Sequence, residues 1–210
     1  MWALVKADQV IRVFNGAKAF EHNDIKHPAS IFNCWSTEEK AAIGLYPIVD
    51  DNSNYKNTDY YSNKGETFTF DSSKKIVKKT WGTAKSKSLT DVKVVDSKGE
   101  KVLDSSGNQV VEKGVKTLKK EKVKNEASSL LEPTDWYVIK ATELSDYTVP
   151  SSITKYRAAI RTKSNAMETA IDNASDADAL EKLYAYVNTG TTSKPVMARP
   201  LGEFPKLEDF

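Results

Sequence analysis

Apolar and polar positions alternate over much of the first third of the chain. Trp2-Ala-Leu-Val-Lys6 and Val10-Ile-Arg-Val-Phe14 each read as a short strand, and Ala7-Asp8-Gln9 supplies the turn of an opening β-hairpin. Asn15-Gly16 marks a further turn. Ser36 ahead of Glu38-Glu39 has the form of a capped helix start, which predicts a short helix through Lys40–Ile43 ended by Gly44, with Tyr46–Val49 as the next strand. Thr67–Phe70 alternates cleanly, Asp71-Ser72-Ser73 turns, and Lys75–Trp81 returns as its partner, a second hairpin.

From residue 84 the pattern breaks into apolar islands: Val92, Val94 and Val95, then Val102-Leu103, then Val110-Val111. Two turn clusters of similar composition, Asp96–Glu100 and Asp104–Asn108, separate them, so the segment reads either as exposed hairpins or as a linker. Beyond Val115 the period becomes helical. Leu118, Val123, Ala127, Leu130 and Leu131 form an imperfect stripe, which Pro133 interrupts, and Thr134-Asp135 is placed to cap a short helix over Trp136–Lys140. Ile153, Tyr156, Ile160, Ser164, Met167 and Ile171 keep the three–four spacing of one helix face; Ala177, Leu180, Leu183, Tyr184 and Val187 predict a last helix. The final stretch holds Gly190, Pro195, Pro200, Gly202 and Pro205, yet carries Leu201, Phe204, Leu207 and Phe210, which suits an extended arm that docks. The expected fold class is α+β. A small antiparallel β-rich domain spans 1–83, a hairpin or linker segment 84–113, a helical hairpin or small bundle 114–187, and an extended arm 188–210.

Composition narrows the function classes. With 39% hydrophobic and 29% charged residues, the chain can bury a core, and its net charge of +2 gives no overall attraction to polyanions. Fifteen lysines against six acidic residues between Lys74 and Lys124 form a basic stretch. It contains no arginine and only one aromatic, Trp81, so it reads as a solvated, edge-protecting surface and predicts no nucleic-acid partner. Cys34 is the single cysteine, which excludes an internal disulfide and a Cys-based zinc site. The opening residues lack the form of a signal peptide and no apolar run is long enough to span a bilayer, so the expectation is a soluble protein made in the cytoplasm, with no membrane partner.

Candidate chemistry is sparse. His22, Asp24, His27 and Cys34 match no metal-ligand spacing and fall in an expected loop. With two histidines, a Ser-His-Asp or Cys-His arrangement lacks its orienting group, no glycine-rich phosphate loop occurs, and the pairs Glu38-Glu39 and Asp50-Asp51 point apart. The expectation is a non-enzyme with no catalytic, cofactor-binding or metal site.

The most informative segment is Leu130-Leu131 … Thr134-Asp135-Trp136, followed by Val149-Pro150 and Tyr156-Arg157 … Ile160-Arg161. Physically it suits a helical hairpin in which Asp135 pairs with Arg157 and Trp136 lies across the Tyr156/Ile160 face. This pattern resembles the C-terminal part of phage tail assembly chaperones and tail-fibre assembly proteins, in which a leucine pair precedes [ST]-D-W and a Tyr-Arg with a following aliphatic residue and Arg lies on the next helix. The opening Met1–Phe14 and the Trp35 … Tyr46 stretch also look like small phage tail-region proteins. The resemblance implies a bacteriophage protein that binds phage tail or tail-fibre proteins, located in the virion tail or in the host cytoplasm during assembly, as a structural part or a chaperone. The Lys-rich central segment and the Phe-rich arm depart from the chaperone pattern and favour a particle component whose arm, through Leu201, Phe204, Leu207 and Phe210, grips a neighbour. Tails are commonly symmetric, so a homo-oligomer fits, though no heptad specifies one. The alternative is a β-rich module binding host-surface glycan through Trp2, Trp35 or Trp81, which requires those rings to be exposed.

Overall fold

Ala7 and Asp8 both lie in the left-handed region (φ 49° and 60°), and this turn folds β1 (Trp2–Lys6) back on β2 (Gln9–Phe14), as the alternation predicts. Asn23 and Asp24 repeat the device, joining β3 (Phe20–His22) to β4 (Ile25–His27). This hairpin stands where a loop is expected from the sequence, because three-residue strands are too short to display an alternation. The structure, a computed structural model, describes all 210 residues and is α+β, with two units, Met1–Lys85 and Ser86–Phe210.

In the first unit, α1 (Ile31–Cys34) precedes α2 (Thr37–Ala42), which starts at a complete capping box: Ser36 Oγ accepts from the Glu39 amide and the Glu39 carboxylate accepts from the Ser36 amide. Gly44 ends this region at φ 80°, and its carbonyl accepts the Val5 N–H at 2.8 Å. β5 (Leu45–Asp51), β6 (Tyr61–Ser62), β7 (Thr67–Asp71) and β8 (Ile76–Thr80) follow. The main sheet has the order β2-β1-β5-β8-β7, and β7–β8 is the expected second hairpin. The sheet is not purely antiparallel as expected, for β5 and β8 run parallel from Ile48↔Val77 to Asp51↔Thr80. Parallel partners are brought together by a long crossover, which no local pattern encodes.

Alternation on β1 sends Leu4 to one face and Ala3 and Val5 to the other. Leu4 joins Phe14, Phe20, Ile31, Phe32 and Leu45, while Ala3 and Val5 pack with Val77, Tyr46 and Phe70. Both faces of the sheet are therefore lined by apolar clusters. Lys40, on α2, is buried, with its ammonium 4.5 Å from the centre of the Trp2 ring.

In the second unit, the 84–113 segment forms hairpins. Residues 94–101 read V-V-D-S-K-G-E-K, residues 102–109 read V-L-D-S-S-G-N-Q, and a third copy starts V-V-E at Val110. The Val94 amide donates to Val110 O, Val110 to Val102 O, and Val102 to Val94 O, a closed triangle of backbone bonds. β9 (Lys85–Ser86) lies ahead of it, and β10 (Val92–Lys93) pairs with β11 (Val111–Glu112). That pair supplies Lys93↔Val111, and the bridges Val95↔Lys101 and Leu103↔Gln109 make the other two corners, each eight residues from the last. Asp96 and Asp104 hold the turns identically: each carboxylate accepts the amides two and four residues on.

The helices are α3 (Val115–Leu131), a 3-10 turn (Glu132–Thr134), α4 (Asp135–Glu143), α5 (Ser151–Asn173) and α6 (Ala177–Tyr184). All six residues expected on the inner face of α5 are buried. On α3 the expectation of an inward Leu118 is corrected: Leu118 is exposed, and Lys119 is buried beside it with its ammonium 4.8 Å from the Tyr184 ring centre. The last helix stops at Tyr184, short of the expected Val187, which stands exposed in β12 (Val187–Asn188) paired with β13 (Met197–Ala198). Ala185 is already extended, and the following Tyr-Val pair favours a strand.

The α3 N-terminus is tied from a distance. Gly114 N–H donates to Asp91 Oδ1 at 2.8 Å, while Val115 and Lys116 donate to the carbonyls of Ser88 and Leu89. Hydrogen bonds from Thr117 and then Gly114 hold the Asp91 carboxyl below its ordinary pKa. Its stabilisation is therefore complete above the ordinary carboxylate pKa and is lost as pH falls through the lowered one. Amide exchange at Gly114, corrected for intrinsic rates, should accelerate below that range, and D91N should show the faster exchange at every pH. In the first unit, a Cβ at Gly44 would meet Val5 O at 2.6 Å and carry a positive φ. G44A should cost about 2 kcal/mol or more, read as a lowered urea midpoint of tryptophan emission.

Candidate functional site

Pro133 would break a continuing α-helix, and here it opens the 3-10 turn that joins α3 to α4. The turn leaves carbonyls at the end of α3 without helical partners, and Arg157 on α5 supplies them. Its guanidinium, only 9% exposed with the rest of its residue, donates to Leu131 O at 3.0 Å and to Thr134 Oγ1, and pairs with Asp135 Oδ1 at 2.7 Å. The Asp135–Arg157 pair is thus the one expected from the sequence. The expected cap is corrected: Thr134 Oγ1 donates to Leu131 O at 2.7 Å, and no side chain caps α4. Tyr156 beside it is buried and its hydroxyl donates to Leu130 O at 3.3 Å.

Trp136 does not lie across Tyr156 and Ile160. It is 50% exposed, with its ring centre 3.8 Å from that of Tyr137. Asp135 faces Arg157, and the next residue on a helix turns about 100° away from it. No residue of α4 is buried, and Trp136, Val138 and Ile139 are all exposed. The face expected for Trp136 is taken by Phe204, which packs against the Ala127, Tyr156 and Ile160 cluster with Leu130 and Leu131.

The C-terminal residues accordingly do not extend freely. Leu201 is buried; its amide donates to Leu183 O, and its carbonyl accepts from Lys163 Nζ at 2.9 Å. A final 3-10 turn (Leu207–Asp209) brings the Phe210 ring centre to 6.0 Å from Tyr156, while Leu207 and Phe210 stay exposed. Of the four arm residues singled out in the sequence, two pack on their own helices and two face solvent.

The lysines of α3 are not merely a solvated face. α3 and α5 are antiparallel neighbours joined by a ladder: Lys116 Nζ donates to Asp172 O, Lys120 pairs with Asp172 at 2.8 Å, and Lys124 pairs with Glu168 at 3.3 Å. The bond to Asp172 raises the Lys120 pKa above its usual value. Beyond this ladder, α3 carries Ser128 and α5 carries Ser164 and then Arg161, an exposed arginine with no ion pair. A groove of about 320 Å³ opens there, with Lys124, Ser128, Arg161 and Asn165 along it and Ala127 and Leu131 beneath. Sequence reasoning found Arg161 by resemblance and missed the rest; Lys at four-residue spacing facing Glu168 and Asp172 was the available signal.

In the first unit the histidines and Cys34 do not come together. His27 is buried with its ring stacked on Phe20 at 5.0 Å, His22 is hydrogen-bonded to Asn23, and Cys34 is exposed. No group of three or more His, Cys, Asp or Glu side chains is placed to hold a metal ion. Trp2 and Trp35 are half-buried against the sheet core, and Trp81 is half-buried, its Nε1 donating to Asn52 and its ring edge-on to Tyr55.

Replacing Arg157 by Ala should destabilise the second unit by about 2–3 kcal/mol, measured as loss of helical far-ultraviolet signal in urea. R157K should recover little, since an ammonium cannot satisfy all three acceptors in the fork geometry. No helix of the chain is long and apolar enough to cross a membrane. Comparison with known proteins gives no match to a family model, a curated protein or a solved structure.

Proposed function

We propose that this is a non-enzymatic protein that works by binding other proteins, and that its setting is the bacteriophage tail, as a tail-fibre or tail assembly factor or a virion component. The observation that carries the binding reading is α4, a helix with no buried residue that exposes Trp136 at 50%, Ile139 at 56% and Val138 at 41%. Leu144, at its end, is 45% exposed. Apolar side chains held on a rigid helix that is itself pinned by Arg157 form a surface prepared for contact, with a tryptophan as its anchor. The tail setting rests on the resemblance of the Thr134-Asp135-Trp136 … Tyr156-Arg157 … Arg161 pattern, whose tryptophan begins this surface.

The glycan reading draws less support, because Trp2, Trp35 and Trp81 are each half-buried and packed on their own unit. Trp136→Ser combined with Ile139→Ser should leave the fold intact, since both side chains already face solvent. It should abolish co-purification with the tail component that the wild-type chain captures; unchanged co-purification would sink the α4 surface. Mass spectrometry of purified particles separates a stoichiometric virion part from a transient chaperone.

A further inference from the structure

We propose that the groove beside Arg161 binds the carboxylate of an aspartate or glutamate side chain carried on an acidic segment of the protein partner. The inference rests on the reading that this chain works by binding protein, and it names the chemistry of one contact. Along α5, Arg157, Glu168 and Asp172 each have an ion-pair partner: Asp135, Lys124 and Lys120. Arg161 lies one turn from Arg157 on the same helix and has none. Ser128, which lines the same groove from α3, is neutral and supplies no counter-charge.

The groove itself supplies what a carboxylate needs. Arg161 offers a planar fork of donors matched to two carboxylate oxygens. Ser128 and Asn165 add neutral donors along it, and Ala127 and Leu131 form an apolar base for the methylene stem of the incoming side chain. The Glu168 carboxylate further along α5 is already engaged: it takes Lys124 and the Ser164 hydroxyl, which donates to it at 3.3 Å. The unbalanced charge is therefore positive, and a cationic ligand is disfavoured. A ligand carboxylate would supply the counter-charge that Arg161 lacks within the chain.

The test is a titration of the full-length chain, followed by the Arg161 Nε–Hε resonance and the amides of Ser128 and Asn165. The probes are three blocked or free peptides: acetyl-Ala-Leu-Glu-Leu-Ala-amide, the same peptide with Gln for Glu, and acetyl-Ala-Leu-Gln-Leu-Ala with a free C-terminus. Saturable shifts with the Glu peptide alone, weakened about tenfold or more in R161Q, are the expected result. Equal binding of the Gln peptide, a response confined to the free C-terminus, or unchanged binding by R161Q would overturn the proposal. The W136S/I139S protein should bind the Glu peptide like wild type even when it has lost its tail partner, so failure of the α4 surface and failure of the groove are read separately.

Discussion

A guanidinium removed from water needs partners for its donors, and the three bonds that Arg157 makes all go to the junction between two other helices. Leu131 and Thr134 lie at the end of α3 and in the turn after it; Asp135 is the first residue of α4. One side chain thus sets the register of α5 against α3 and fixes the direction in which α4 departs. Everything notable about this face follows from that constraint. Because Asp135 is turned inward to the ion pair, Trp136 is turned outward; because Trp136 is outward, the Tyr156/Ile160 surface is open to Phe204. The C-terminal stretch then folds back to cover it.

The ion-pair ladder shows why the same helices need no large apolar interface over their whole length. α3 buries Val115, Val123 and Ala127 but also Lys119, and its remaining inward edge is charged. Lys120 and Lys124 meet Asp172 and Glu168 at partly exposed sites, where each pair contributes little by itself. Their value lies in register: sliding one helix by a turn would move Lys124 from Glu168 to Ser164, or carry Lys120 past Asp172.

Where one element buries one face, its pattern was readable. α5 shows all six expected inward residues, and the Ser36 capping box and the two main hairpins stand where the chain predicts them. The failures have a common cause in competition from distant partners. The parallel β5–β8 pairing, the burial of Lys119 over an aromatic ring in place of Leu118, and the displacement of Trp136 by Phe204 are each decided by residues far along the chain. Of the candidate site, the Asp135–Arg157 pair was legible because opposite charges flank a predicted helix junction. The groove was not, since it exists only where two helices meet with a missing counter-charge.

The octapeptide triangle carries a consequence for how this chain tolerates change in length. Three corners close the ring, so a fourth copy has no place in it and a two-copy version leaves backbone groups unanswered. Yet the chain enters and leaves at one spot, where β10 and β11 run side by side and Asp91 is bonded to Gly114. The element is all-or-nothing in size while being attached by a narrow stem. It has the form of a cassette, closed on itself and hung on that stem.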